Sequence, residues 1–260
     1  MANDVSITLM PDPSTTAGTP SLRIQTVILP RELQPDQIAD HTVVVFDVLR
    51  ATTSITAALT AGIKEIRVFD TIEAAQSAAN SFGQPRLLCG ERHTLPPPGF
   101  DLGNSPGQFD PKKHAGMTMF LSTTNGTRAI VAAKSAPLLI TGALVNADAA
   151  AKKAYAAGRD VTLLCSGSDG NPSMEDLLGA GAVIDSLSKL GPIEFDGDLS
   201  RIAIKLFHAC RDSLPTVLAE TFGGHNIRRV HLDADIAFAA RLNVLDVVGQ
   251  VKDNPLRITP

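Results

Sequence analysis

The chain has 260 residues, of which 44% are hydrophobic, 19% charged and 4% aromatic, with 23 Lys and Arg against 27 Asp and Glu for a net charge of −4. That balance argues against a general nucleic-acid footprint, and no apolar run approaches the roughly 18 residues needed to cross a bilayer. Cys89, Cys165 and Cys210 are odd in number and far apart, matching neither a zinc spacing nor a disulfide framework, so a reducing cytoplasm is the expected setting.

Residues 1–21 are rich in Pro, Ser, Thr and Gly and are interrupted by Asp4 and Asp12. They lack the basic and apolar regions of a secretory signal and read as a flexible N-terminal extension. From residue 22 short β-rich apolar runs alternate with longer Ala/Leu-rich segments. Strands are predicted at 23–29, 43–48, 65–69, 86–89, 118–121, 138–141 and 161–165, several of them nearly all apolar, as strands buried on both faces are. Helices are predicted at 53–61, 72–81, 127–133, 147–157 and 174–190, and Gly62, Gly83 and Gly158 stand as stop signals after three of them. Residues 198–242 read as two or three helices, with 246–251 as a closing strand. No linker divides 22–260, which reads as one domain with a helical C-terminal subregion, 198–260. The alternation predicts a three-layer α/β/α fold around a mainly parallel or mixed sheet. Ligands in such folds bind beyond the carboxyl ends of the strands.

Four segments occupy those ends. They are Asp47-Val-Leu-Arg-Ala-Thr-Thr53, Gly90-Glu-Arg92 with Gly99-Phe-Asp-Leu-Gly-Asn-Ser-Pro106, Ser122-Thr-Thr-Asn-Gly-Thr-Arg128, and Cys165-Ser-Gly-Ser-Asp-Gly-Asn-Pro-Ser-Met-Glu-Asp176. Small hydroxyl residues or glycines lead into helices, where backbone N–H groups are free to meet an anion. Arg50, Arg92 and Arg128 accompany them, interleaved with Asp47, Glu91, Asp101, Glu175 and Asp176. Taken singly, each segment is an ordinary helix cap, and Glu175 and Asp176 merely complement a helix dipole. Together on one edge they suit a phosphorylated substrate with a divalent cation such as Mg²⁺.

The familiar phosphate chemistries fail one by one. The chain has neither GxxxxGK[ST] nor a G-x-G-x-x-G after a strand. Asn171, not arginine, stands six residues after Cys165, so no cysteine-phosphatase loop forms. Asp47 lacks a second Asp two residues on, as a haloacid-type hydrolase needs, and G-x-S-x-G is missing. The histidines are scattered. His93 reads as a loop residue without a catalytic role, Cys165 as a packed apolar residue, and His225 as part of a glycine turn between helices near the site rim.

These same strand-end segments, with the tail Ala240-Arg-Leu-Asn-Val-Leu-Asp-Val-Val248, resemble the 2-phosphosulfolactate phosphatase family from about residue 23 onward. Two departures stand out: the N-terminal extension, and His93-Thr-Leu-Pro-Pro-Pro98 in place of a glycine-containing loop. The resemblance implies an Mg²⁺-dependent phosphatase with its own α/β/α fold that converts 2-phospho-3-sulfolactate to 3-sulfolactate and phosphate, in some organisms a step towards coenzyme M. On this reading Asp47, Glu91 and Asp176 hold Mg²⁺. Arg50 and the Thr52 and Thr53 amides grip the phosphoryl group. Thr123, Thr124, Asn125, Gly126 and Thr127, with Ser166 and Gly167, supply further N–H donors. Arg92, Arg128 and Asn104 take the carboxylate and sulfonate. Asp47 as nucleophile stays open, because spacing does not separate a ligand from a nucleophile. The rivals are a phosphatase of another small phosphorylated hydroxy acid, admitted by the loop at 93–98, and a non-catalytic anion-binding protein. The partner is a small anionic substrate, without nucleic acid or membrane, and homo-oligomerisation is the default for an enzyme of this size.

Overall fold

In the computed structural model, which describes residues 21–260, the seven apolar runs all become strands of one ten-stranded sheet. The strands are β1 (Leu22–Val27), β2 (Thr42–Phe46), β3 (Glu65–Phe69), β4 (Arg86–Gly90), β5 (Thr118–Ser122), β6 (Leu138–Gly142), β7 (Val161–Cys165), β8 (Ile193–Asp196), β9 (Gln250–Lys252) and β10 (Arg257–Thr259). The helices are α1 (Ala51–Thr60), α2 (Ile72–Asn80), α3 (Pro111–His114), α4 (Gly126–Ala132), α5 (Ala147–Ala156), α6 (Met174–Ser188), α7 (Asp198–Cys210), α8 (Leu214–Glu220), α9 (Phe222–Arg229) and α10 (Asp233–Ala239). The extension expected at 1–21 lies, Ser21 apart, outside the described residues.

Strand order is β4-β5-β3-β10-β9-β6-β2-β7-β1-β8. The short hairpin β9–β10 pairs antiparallel within itself and with β6 and β3, and it separates two parallel groups, β4-β5-β3 and β6-β2-β7-β1-β8. Central β2 shows why the apolar runs lack alternation. Val43, Val44, Val45 and Phe46 are all buried, because successive side chains point to opposite faces and both faces are covered. Val44 and Phe46 join Ile24, Leu163 and Cys165 in the core beneath α5, α6 and α7. Val43 and Val45 join Leu121, Leu139 and Leu164 beneath α1 and α4. At the far edge Leu88 and Phe120 form a smaller core with Ala75 and Ala79 of α2. Each fully buried large apolar side chain contributes about 1.5–3 kcal/mol.

Gly62 (φ 87°) and Gly158 (φ 62°) take the left-handed conformation beyond α1 and α5, as their place in the sequence predicts. Gly83 has no positive φ.

The last third differs most from expectation. It forms four α-helices, not two or three, and Phe222-Gly-Gly-His-Asn226 is no turn but the opening of α9. The Thr221 hydroxyl accepts the Gly224 N–H at 3.0 Å and starts that helix. Gly224 is small because a Cβ there would collide with the Leu218 carbonyl of α8, so the glycine serves helix packing. The closing strand contracts to β9, and β8 and β10 are strands beyond those the apolar pattern predicts.

Candidate active site

A cavity of about 570 Å³ opens at the carboxyl ends of the strands. Asp47 enters it just after β2, Asp70 and Glu73 after β3, Glu91, Arg92, His93 and Thr94 after β4, residues 122–125 at the end of β5, and Ser168 and Asp169 after β7. α9 adds Phe222, Gly223, Asn226 and Arg229 to the lining.

Asp47 is buried at the foot of the cavity. Its Oδ1 accepts the Ala51 N–H at 3.1 Å, which ties the carboxylate to the first turn of α1. Burial is the main reason its carboxyl is pushed up to about 7, and the charges of Glu91 and Glu175 push the same way. Backbone N–H groups of Ala51 and Gly126 oppose the shift without cancelling it. No basic side chain pairs with Asp47 among the described residues.

The strand-end amides hold anions, but those anions are carboxylates of the chain itself. Glu91 Oε1 accepts the Thr124 N–H at 2.7 Å and its Oε2 the Thr94 N–H at 3.1 Å. Asp176 Oδ1 and Oδ2 accept the Val48 and Gly167 N–H groups at 2.8 and 3.0 Å. Asp176 is fully enclosed, absent from the cavity wall, and acts as a clamp between the turns after β2 and β7. Of the three residues expected to hold Mg²⁺, Asp176 is thus the one set back from the cavity, with both carboxylate oxygens already bonded to backbone N–H groups. Burial first, then the charges of Asp47 and Glu175, hold its carboxyl well above the ordinary carboxylate range.

Several expected N–H donors are therefore already engaged. The Thr52 N–H and hydroxyl both reach the Asp47 carbonyl at 2.9 Å, and the Thr53 hydroxyl bonds the Val48 carbonyl at 2.8 Å. The Thr127 N–H meets Thr123 Oγ1 at 3.2 Å. The Ser166 N–H bonds the Phe46 carbonyl at 2.8 Å. Thr52, Thr53, Gly126, Thr127, Ser166 and Gly167 are buried and do not line the cavity. Of the sequence candidates, Asp47, Arg50, Glu91, Arg92, Asn104, Thr123, Thr124, Asn125 and Arg128 do line it.

Arg50 is buried with its guanidinium engaged on one side. Nη1 donates to Asp235 Oδ2 at 2.6 Å and Ser105 Oγ at 3.2 Å, and Nη2 donates to the Thr94 carbonyl at 2.5 Å. Arg92 meets Glu73 at the exposed rim, 3.4 Å away. Arg128 and Arg229 are exposed on the cavity wall, and neither has an ion-pair partner among the described residues.

Sequence reasoning missed the acidic rim of Asp70, Glu73 and Asp169 and the entire α9 wall. It noted Glu175 but gave it no role in the site. That carboxylate is buried, its Oε2 has no hydrogen-bond partner, and its Oε1 lies so close to Gly223 that any side chain there would displace it. His93 lines the cavity while His225 does not. The Cys165 thiol is buried and pushed well above its ordinary range by burial and by Asp176, which leaves it inert as a nucleophile.

The donors suit a hard divalent cation. Asp47, Glu91 and Glu175 are hard oxygen donors, and Glu175 Oε2 is an orphaned buried oxygen. Among the described residues no three His, Cys, Asp or Glu side chains converge into a ready-made cage. Mg²⁺ commonly needs none, binding through one or two carboxylates together with substrate phosphate oxygens and water. Asp47 and Glu91, which line the cavity, fit that pattern.

A family model described as 2-phosphosulpholactate phosphatase matches residues 27–254. A protein of Carboxydothermus hydrogenoformans named probable 2-phosphosulfolactate phosphatase is 39% identical over 88% of this chain and 93% of its own length. Proteins with the same name from Caldanaerobacter subterraneus subsp. tengcongensis and Synechocystis sp. are 33% and 37% identical, covering 90% and 84% of the chain and 97% and 91% of theirs. No helix among the described residues is long and apolar enough to cross a membrane. Matched along most of its length by the family model and by these relatives, the chain belongs to the 2-phosphosulfolactate phosphatase family, a family of phosphoric monoester hydrolases.

Proposed function

We propose that this protein is an Mg²⁺-dependent phosphatase of 2-phospho-3-sulfolactate, releasing 3-sulfolactate and phosphate. One observation supports this above the rest. A single cavity sets carboxylates that lack a base, Asp47 and Glu91, beside arginines that lack an acid, Arg128 and Arg229, with the buried Glu175 charge acting on Asp47 from behind the wall. The acids call for a cation and the arginines for anions, and a phosphate ester bearing a carboxylate and a sulfonate satisfies both. The names of the relatives point to the same substrate.

Asp47 and Glu91 would hold the cation. When bound, Mg²⁺ supplies charge neutralisation at the phosphoryl oxygens and lowers the pKa of coordinated water. Arg50 offers its unengaged N–H groups to the phosphoryl group from the side opposite Asp235. Thr123 and Asn125 present polar groups beside it. Arg128 of α4 and Arg229 of α9 take the carboxylate and sulfonate, with Arg92 and Asn104 lining the same cavity. Water adds to phosphorus, the bond from phosphorus to the C2 oxygen breaks, and that oxygen gains a proton as the hydroxyl of sulfolactate. The enzyme works in the cytoplasm, where its three free cysteines stay reduced.

A substrate panel tests the reading. Phosphate release from 2-phosphosulfolactate, 2-phosphoglycerate and phospholactate is followed with Mg²⁺ and with EDTA. Fast release from the sulfonated ester that EDTA abolishes is expected. Faster release from a non-sulfonated ester would move the substrate assignment and make the loop at 93–98 its determinant. Binding without release would favour an anion-binding protein.

A further inference from the structure

Arginine has five N–H donors in a rigid plane. In Arg50, Nη1 is engaged by Asp235 and Ser105 and Nη2 by the Thr94 carbonyl, which leaves Nε–H and the second N–H of Nη2 without a partner among the described residues. Ser105 Oγ donates in turn to Asp235 Oδ2 at 2.7 Å, which closes a three-membered network with Arg50 Nη1. Its members come from separate segments: the turn after β2, the loop before Pro106, and α10, which is 185 residues from Arg50 in sequence.

Stability alone is a poor reason for this arrangement. The Arg50 and Asp235 side chains are only 3% and 7% exposed, and a buried ion pair is often no more stabilising than apolar residues of similar shape. Orientation is a better one. Asp47 and Glu91 line the same cavity as Arg50, and an untethered guanidinium there would turn towards them and neutralise the cation site. Asp235 holds it back from those acids.

We infer that Asp235 is a positioning residue for catalysis. With Ser105 it fixes the Arg50 guanidinium plane so that the two remaining N–H groups point at the transferring phosphoryl group, and it thereby links the C-terminal helices to the strand-end chemistry. This rests on the phosphatase reading above. It gives α10 a function that no motif in the chain signals.

The test compares parent, Asp235→Asn, Ser105→Ala, Arg50→Lys and the Arg50→Lys/Asp235→Asn double variant, with kcat and KM for phosphate release from 2-phosphosulfolactate in Mg²⁺ and a thermal melt of each. Asp235→Asn keeps the shape and loses the charge. Its kcat should fall about 10- to 100-fold while KM stays within about threefold, as for an interaction made chiefly in the transition state. The double variant should lose no more than about twofold beyond Arg50→Lys alone, since Asp235 acts through Arg50. Folded Asp235→Asn with parental kcat, or losses that simply multiply in the double variant, would overturn the inference. Should Asp235→Asn not fold, Ser105→Ala decides: a kcat loss of about threefold or more supports the network, and parental kcat contradicts it. A parent that releases no phosphate defeats the phosphatase reading itself, whereas an active parent beside an equally active Asp235→Asn defeats the inference alone.

Discussion

Gly126 lies against Asp47 so closely that a Cβ on the glycine would sit 2.7 Å from Asp47 Oδ2 and 2.6 Å from the Ala51 Cβ. The start of α4 thus forms the backstop that keeps the Asp47 carboxylate aimed into the cavity. A glycine that reads in sequence as one more member of a helix-capping segment is, in the fold, a steric requirement of the site.

Gly126→Ala should therefore lower both the melting temperature, through the clash with the buried Ala51 Cβ, and the turnover of the fraction that folds, through Asp47. The added methyl has to push Asp47 aside by a few tenths of an ångström or more. A misplacement of about 1 Å in a positioned group costs up to about 10²-fold in rate, so a smaller shift should lower kcat by about tenfold or more. Steady-state kinetics beside a melting curve check this, and parental kcat in the variant would show that Asp47's position is not critical.

Asp47 also governs how stability varies with pH when no cation is bound. Unfolded, its carboxyl ionises near 3.8; folded, it holds its proton to about 7. Between those values only the folded protein carries the proton. The stabilisation it provides is thus complete below the lower value and is lost as pH rises through the upper one. In EDTA the parent should melt lower at about pH 8 than at about pH 5.5, and Asp47→Asn, which is neutral throughout, should reduce that difference. An equal difference in parent and variant would show that Asp47 is not the group responsible.

Asp176→Asn separates clamp from ligand. The variant retains one acceptor oxygen, so either the Val48 or the Gly167 N–H is left facing an amide NH₂. Leaving one buried donor unsatisfied costs about 1–3 kcal/mol. A lower melting temperature is expected, with Mg²⁺ dependence of the folded fraction unchanged. A variant that melts normally but needs far more Mg²⁺ would restore Asp176 to the cation site.

Arg229→Ala should weaken the sulfonated substrate selectively. Loss of one charge-assisted contact reduces kcat/KM about tenfold or more, and phospholactate, which lacks the sulfonate, should be affected less. Equal losses for both esters would assign Arg229 to the phosphate or carboxylate instead.

Much of this architecture is legible in the sequence because burial on two faces leaves a mark. The run Val43-Val-Val-Phe46 can hardly be anything but a central strand, and Asp47 directly after it falls at a ligand-binding edge. The parts that escape notice have physical reasons of their own. β9 and β10 are three residues each, partly polar, and exist only because they pair with β6 and β3. The edge strand β8 is half exposed and lacks an apolar run. Within the site, sequence points to strand-end amides but not to their occupants, since Glu91 and Asp176 reach them only in the folded chain. Asp235 is legible from neither composition nor spacing, because its partner Arg50 is 185 positions away.

Phosphate release from 2-phosphosulfolactate in Mg²⁺ by the parent and by Asp47→Asn, with both proteins verified as folded, is the most direct test of the strand-end cavity as the site of catalysis. Rapid release by the parent and a loss of about 10³-fold or more in the variant are predicted, since Asp47 would hold the cation that stabilises the transferring phosphoryl group. Near-parental release by Asp47→Asn would contradict the assignment of this cavity as the active site.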